Sequence, residues 1–154
     1  MDLFLWRHAE AELGQEEGGD DLSRVLTPRG EKQAVRVSAW LERQLPDSAK
    51  VYVSPARRTV QTAQALGRKY KIKDELAPLE HPSQLLSLVR WPQGKSTALV
   101  VGHQPMLGQV IAQLLGLKAE ECMVRKGAVW WLRYREREGA GQTVLVSVQS
   151  PDAL

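Results

Sequence analysis

Cysteine and long apolar runs are scarce in this 154-residue chain. Cys122 is the single cysteine, so no internal disulfide can form and the redox compartment stays open; we expect a small buried side chain at this position. No window of about eighteen apolar residues is present, which argues against a membrane-spanning helix. The opening segment MDLFLWRHAE lacks the basic region of a signal peptide. These absences predict a cytoplasmic protein with no membrane partner.

A strong excess of either charge is also missing. The 21 Lys and Arg residues exceed the 18 Asp and Glu residues by three, which is too little to indicate nucleic-acid binding. The five tryptophans follow no nucleic-acid-binding pattern, and we expect them to pack in or beside the core. Hydrophobic residues make up 43% and charged residues 25%, as in ordinary globular proteins. Length and composition therefore predict a single domain over residues 1–154.

Short apolar runs alternate with amphipathic segments along most of the chain. Buried strands are predicted at Asp2–Trp6, Lys50–Val53 and Thr97–Val101, with a weaker extended stretch at 72–79. Helices opened by a proline are predicted after them, from Pro28 to Leu45, Pro55 to Gly67, Pro82 to Val89 and Pro105 to Leu115. β-rich segments at 128–134 and 143–148 flank a predicted hairpin loop, EREGAGQ. The pattern predicts a three-layer α/β/α fold with a mainly parallel central sheet and late antiparallel strands.

A polar segment from Ala9 to Leu26 separates the first strand from the first helix. It contains three glycines and six acidic residues, namely Glu10, Glu12, Glu16, Glu17, Asp20 and Asp21. A loop of this length is unusual and favours a role at the mouth of a site. A solvated, mobile loop explains the same composition equally well, and the sequence leaves both interpretations open.

Three predicted strands end in residues suited to an anion. The first ends in Arg7-His8-Ala9, the second in Ser54-Pro55-Ala56-Arg57-Arg58 and the third in Gly102-His103-Gln104-Pro105. If the strands are parallel neighbours, these endings share the carboxyl edge of one sheet, where ligands of open α/β sheets bind. Helix N-termini and arginine forks both favour phosphate, and none of the three motifs contains a carboxylate.

Other interpretations exist for each residue taken alone. A single histidine is more often structural than catalytic, and Arg57 and Arg58 fit a solvated helix surface. A zinc site from His8, His103 and Glu10 is conceivable, but neighbouring arginines would repel the metal. The coincidence of three strand ends favours a phosphate site over these readings.

The same motifs resemble the histidine phosphatase superfamily, also called phosphoglycerate mutase-like. The family's Arg-His-Gly corresponds to Arg7-His8-Ala9, its LTPxGxxQA to residues 26–34, its SPxxRxxQTA to residues 54–63 and its late Gly-His to Gly102-His103. This register selects Arg58 rather than Arg57. The short chain and the Gly-His-x-Pro motif most resemble the SixA-type phosphohistidine phosphatases. Ala9 departs from the family's glycine by one methyl group, which we expect to be tolerated.

The resemblance implies catalysis through a phosphohistidine on the enzyme. His8 would attack phosphorus, while Arg7, Arg58 and His103 would bind the phosphoryl oxygens, without metal or other cofactor. A general acid is not evident, and Glu80 and His81 are the nearest candidates. The substrate implied is phosphohistidine on a signalling or phosphocarrier protein. The alternatives are a small phosphate ester such as a sugar phosphate, and a non-catalytic module that binds a phosphorylated ligand.

Overall fold

The computed structural model describes residues 1–14 and 20–154. Six strands form one sheet in the order β3-β2-β4-β1-β5-β6. The strands are β1 (Asp2–Arg7), β2 (Lys50–Val53), β3 (Lys71–Ile72), β4 (Ala98–Gly102), β5 (Val129–Arg137) and β6 (Ala140–Gln149). The four α-helices within the described residues are α1 (Pro28–Gln44), α2 (Arg57–Gln64), α3 (Pro82–Val89) and α4 (Met106–Leu115).

The pairing of β1 explains the mixed character of the sheet. On one side β1 runs parallel to β4, which continues in parallel to β2 and β3. On its other side β1 is antiparallel to β5, which forms a hairpin with β6. The predicted α/β fold with late antiparallel strands is confirmed. Parallel pairing of β1, β4 and β2 puts their carboxyl ends on one edge of the sheet.

Helices cover both faces of the sheet. Side chains alternate across a strand, so Phe4 and Trp6 face α1 and α2, whereas Leu3 and Leu5 face α3 and α4. All four of these side chains are fully buried. Burial on both faces explains why β1 and β4 are continuous apolar runs without alternation.

The predicted helix boundaries hold at α1 and change at α2. Thr27 caps α1 by accepting a hydrogen bond from the Gly30 N–H (3.0 Å), and Pro28 is its first residue, as predicted. The prediction that Pro55 opens α2 is wrong, because the Ser54 hydroxyl accepts the Ala56 N–H and keeps Ala56 extended. From Ala65 to Gly67 each backbone N–H bonds to the carbonyl three residues earlier, so the α-helix ends before the predicted Gly67.

Smaller boundary corrections apply elsewhere. α4 begins at Met106, one residue after the predicted Pro105, which is its N-cap. The extended stretch expected at 72–79 is a two-residue strand, β3, followed by a 3-10 turn at Asp74–Leu76. The hairpin loop is much shorter than EREGAGQ, because Glu138 and Gly139 both have positive φ and make a tight two-residue turn.

Three further expectations concern single residues and hydropathy. Cys122 is only half-buried, beside the layer formed by α3 and α4. Trp6 and Trp40 are buried in the core, and the other three tryptophans are partly exposed and pack against it or near it. Within residues 1–14 and 20–154, no helix is both long enough and apolar enough to cross a membrane.

Candidate active site at the carboxyl edge of the sheet

The strand endings meet at the carboxyl edge, as their parallel pairing requires. The backbone N–H of His8 donates to the carbonyl of Gly102 (3.1 Å), and that of Ser54 donates to the carbonyl of Val101 (3.1 Å). These bonds continue the ladders of β1, β4 and β2 just past the last strand residues. The rings of His8 and His103 consequently lie with their centroids 5.4 Å apart. Both histidines are more than 90% buried, with exposures of 6% and 4%.

His8 is held in the tautomer that a nucleophile needs. Its Nδ1 lies 2.7 Å from the carbonyl oxygen of Ala9, and a carbonyl only accepts, so Nδ1 carries the ring proton. Nε2 is therefore left with its lone pair free. Burial, helped by the positive charges of Arg58, Arg7 and Arg24 and opposed by the bond to Ala9, lowers the pKa of His8 to about 3. The ring is neutral at pH 7.

His103 is oriented by a buried hydroxyl. Its Nε2 lies 2.7 Å from Ser54 Oγ, which in turn accepts the backbone N–H of Ala56 (3.3 Å). Because Ser54 Oγ already accepts the Ala56 N–H, we assign its proton to the bond with His103 Nε2, so the neutral ring carries its own proton on Nδ1. Burial, followed by the charge of Arg58, lowers the pKa of His103 to about 3. Sequence reasoning quoted Ser54 only as part of a motif and assigned it no role.

Two arginines reach the same edge, and each is held by a hydrogen bond to a backbone carbonyl of another segment. Arg7 donates through Nη1 to the carbonyl of Val124 (2.8 Å). Arg58 donates through Nη1 to the carbonyl of Asp21 (2.8 Å) and through Nη2 to its carboxylate (3.1 Å). The Arg58 side chain is buried, whereas Arg57 is exposed. The structure thus places Arg58, and not Arg57, at the site.

Unpaired buried donors concentrate at this site. Arg7 Nε, Arg58 Nε and His103 Nδ1 are all buried and have no hydrogen-bond partner; in the part of the chain that the structure describes, Trp131 Nε1 is the only other such side-chain atom. Buried polar groups are almost always paired, so three together indicate a ligand rich in acceptor oxygens. A phosphoryl group has three such oxygens, and the guanidinium groups match its negative charge.

In the described residues, no hydrogen bond or ion pair joins Glu80, His81 or Glu10 to this cluster. His81 caps α3, with Nδ1 accepting the backbone N–H of Ser83 (3.1 Å), and both His81 and Glu80 are exposed. Glu10 accepts a hydrogen bond from Thr27 Oγ1 (2.7 Å). Among the residues described, no group of three His, Cys, Asp or Glu side chains could hold a metal ion. Ala9 is buried in the core layer of α1 and α2, which accommodates the methyl group that replaces the family's glycine hydrogen.

Asp21 and Arg24 are site residues that sequence reasoning did not single out. Asp21 contacts Arg58 directly, and Arg24 donates through Nε to the other carboxylate oxygen of Asp21 (3.0 Å). The acidic segment therefore reaches the mouth of the site, and the site includes a carboxylate that the three strand-end motifs lack. The signal for this contact in the sequence was Arg24, a basic residue within an otherwise acidic loop. Glu16, Glu17, Gly18 and Gly19 of that loop lie outside the described residues.

Comparison with known proteins shows similarity to histidine phosphatases. A family model of the histidine phosphatase superfamily (branch 1) matches residues 3–80, which are 78 of the 154 residues and include Arg7, His8 and Arg58. The chain is 28% identical over 131 residues to a phosphohistidine phosphatase SixA homolog of Haemophilus influenzae, covering 75% of this chain and 78% of that protein.

Two solved structures show the extent of the structural similarity. The protein histidine phosphatase SixA complexed with tungstate is 25% identical, with a TM-score of 0.77 over 99% of this chain and 98% of that one. A phosphoserine phosphatase variant of Entamoeba histolytica with bound phosphoserine is 19% identical, with a TM-score of 0.73 over 99% and 98% of the two chains; this match concerns the fold alone.

The carboxyl edge of this α/β sheet brings together a neutral histidine and two arginines, an arrangement that suits a phosphatase. With the match over residues 3–80, this chain belongs to the histidine phosphatase superfamily. Its fold is that of the SixA and phosphoglycerate mutase-like phosphatases.

Proposed function

We propose that this protein removes phosphate from phosphohistidine on another protein, through a phosphohistidine formed on His8. The observation that carries this proposal is that His8 keeps a free Nε2 lone pair at the sheet edge where Arg7, Arg58 and His103 each have a buried nitrogen without a partner. A module that only binds a phosphorylated ligand would need the donors but not a histidine held in a nucleophilic tautomer. The similarity to phosphohistidine phosphatase SixA proteins supports the substrate class.

The geometry suits a two-step transfer. His8 Nε2 attacks phosphorus, the bond from phosphorus to the substrate nitrogen breaks, and that nitrogen takes a proton as it leaves. Water then attacks the phosphorylated His8 and releases inorganic phosphate. Arg7 and Arg58 stabilise the charge on the phosphoryl oxygens in both steps through their free Nε–H groups, and His103 contributes a third donor.

The Asp21 carboxylate, which contacts Arg58, cannot serve as a proton donor. Burial on its own raises the pKa of Asp21, but Arg58 and Arg24 outweigh this effect and hold the pKa below its usual value, so the group is ionised at neutral pH. An alkoxide leaving group requires a donor, whereas an imidazole has a pKa of about 6.5 and leaves readily. The site therefore favours phosphorus bound to nitrogen.

Hydrolysis of a small phosphate ester is the second candidate. Glu80 and His81 line a surface pocket together with Pro105, which follows His103 by two residues. A bound ester could place its leaving oxygen toward this pocket and use Glu80 as the proton donor. The phosphoserine phosphatase with a similar fold gives this candidate a structural precedent.

Trapping of the phosphorylated enzyme tests the nucleophile. Wild-type protein incubated briefly with a ³²P-labelled phosphohistidine domain and then denatured in base should carry acid-labile label, and His8→Asn should carry none. His81→Asn is the matched control, because His81 lies on the exposed N-terminus of α3 and should leave labelling unchanged. Full labelling of His8→Asn would refute the assignment.

A comparison of kcat/KM tests the substrate. We expect the phosphohistidine domain to be hydrolysed much more efficiently than phosphoserine or a sugar phosphate, and Glu80→Gln to leave this preference unchanged. A preference for the esters that disappears in Glu80→Gln would instead identify an ester phosphatase with Glu80 as its acid.

A further inference from the structure

Asp21 contacts the phosphate-binding machinery but cannot itself bind phosphate. Its carboxylate lies between two guanidinium groups, with Oδ2 accepting from Arg58 Nη2 (3.1 Å) and Oδ1 from Arg24 Nε (3.0 Å). Its backbone carbonyl also accepts from Arg58 Nη1 (2.8 Å). A negative charge beside an anion site would ordinarily be a competitor, so its position requires an explanation.

The position of Asp21 is explained by which N–H groups of Arg58 are bonded and which are free. Asp21 accepts a hydrogen bond from each terminal nitrogen of Arg58, while Arg58 Nε is buried and has no partner. Arg7 shows the same pattern, with Nη1 bound to the Val124 carbonyl and Nε unpaired. Each arginine is thus held through a terminal nitrogen and keeps a buried Nε–H that is free to bind a ligand.

Arg24 connects this contact to the rest of the loop. Besides Asp21, it donates through Nη1 to the carbonyl of Glu12 (3.0 Å). The bonds from the Glu12 carbonyl through Arg24 and Asp21 to Arg58 form one continuous chain across the mouth of the site. The backbone of Arg58 is therefore held within α2, and its side chain is held by the loop that contains Asp21.

We propose that Asp21 is a positioning residue, which holds the Arg58 guanidinium so that its Nε–H faces the phosphoryl group. This inference rests on the proposed phosphatase function. A long arginine side chain without this contact would populate several rotamers, and ordering it again would weaken each interaction with phosphate. Asp21 then contributes to phosphate binding even though its own charge repels phosphate.

The two possible roles of Asp21 predict opposite effects of removing it. If Asp21 only competes for Arg58, then Asp21→Ala should bind an oxyanion more tightly. If it positions Arg58, the same variant should bind tungstate roughly 10-fold or more weakly and lose a similar factor in kcat/KM, the usual effect of losing a charged hydrogen bond. Titration calorimetry with tungstate measures the binding independently of turnover.

Variants of Asp20 and Asp21 distinguish the positioning of Arg58 from a general effect of negative charge in the loop. Asp20→Asn removes the adjacent negative charge but keeps the oxygen that accepts the Leu22 N–H. Because the hydrogen bonds and the ion pair of Arg58 go to Asp21 and not to Asp20, binding should stay near wild type. Asp21→Asn keeps an acceptor for Arg58 and should recover part of the affinity lost in Asp21→Ala. Unfolding temperatures of all variants check that the fold is intact.

A double-mutant cycle completes the test. In an Arg58→Ala background, Asp21→Ala should cause little further loss of tungstate affinity, because the residue that it positions is gone. Unchanged or tighter binding by Asp21→Ala, additive losses in the cycle, or an equal loss in Asp20→Asn would each overturn the inference. Wild-type protein that neither binds tungstate nor hydrolyses phosphohistidine would instead overturn the proposed function itself.

Discussion

At the scale of single residues, two buried histidines at the same sheet edge have opposite attachments. His8 is bound through Nδ1 to a carbonyl, and His103 through Nε2 to the hydroxyl of Ser54. The carbonyl at His8 Nδ1 leaves the Nε2 lone pair free, and the tautomer that we assign to His103 leaves an N–H free on Nδ1. Different partners therefore give the two histidines different chemical capabilities.

The two adjacent arginines provide a test at this scale. Arg58→Ala removes a buried guanidinium with a free Nε–H, and we expect kcat/KM to fall by roughly 10²–10³-fold, the usual effect of losing one donor to a developing charge. Arg57→Ala is the matched control, since its side chain is exposed, and activity should stay within about twofold. Steady-state kinetics in which Arg57→Ala is the more damaged variant would contradict the assigned register.

At the scale of elements, the start of α1 is joined to the segment that follows His8. The backbone N–H of Thr27 donates to the carbonyl of Glu10 (3.0 Å), and the Thr27 hydroxyl donates to the Glu10 carboxylate. A side chain at Gly30 would overlap the backbone of Glu10. The glycine in the LTPRG motif thus permits close contact between the first turn of α1 and the strand-end loop.

Gly30→Ala tests this contact. The new methyl group should push α1 away from Glu10 and destabilise the protein by about 1–3 kcal/mol, despite the higher helix propensity of alanine. Urea unfolding measures the change. Lys32→Ala, an exposed substitution in the same helix, should stay within about 0.5 kcal/mol of wild type. Equal stability of the two variants would show that the contact is unimportant.

At the scale of the whole molecule, the active site makes stability depend on pH. His8 and His103 have pKa values of about 3 in the folded protein. In the unfolded chain a histidine has a pKa of about 6.5, so below this pH the unfolded state binds protons that the folded state does not. Stability is therefore undiminished above pH 6.5 and falls as the pH decreases toward 3.

Urea unfolding at pH 7 and pH 5 measures this dependence. Linkage between the two pKa values gives a loss of about 2 kcal/mol per histidine over this interval, hence about 4 kcal/mol for wild type. His8→Asn should retain only about half of that loss, because one titrating group is gone. His81→Asn serves as the control, since His81 is exposed, and should behave as wild type. A pH dependence that is unchanged in His8→Asn would contradict the prediction.

Several properties followed from local sequence. The alternation of apolar runs with proline-opened helices predicted the layered α/β fold, and β1 and β4 are where continuous burial was expected. The resemblance to the family motif selected Arg58 over Arg57, and the structure buries Arg58 and exposes Arg57. Cytoplasmic location and a single domain over residues 1–154 stay predictions.

Tertiary structure alone decided the contacts that complete the site. The carbonyl of Val124, which fixes Arg7, is backbone and leaves no mark on the sequence. Asp21 is one of several acids in its loop, and only the folded chain places it, rather than Asp20, against Arg58. The start of α2 was missed because a bond from the Ala56 N–H to Ser54 overrides the usual preference for proline at the first helical position. Local spacing determines which face of an element a residue occupies, whereas partners distant in the chain are determined by how the elements pack.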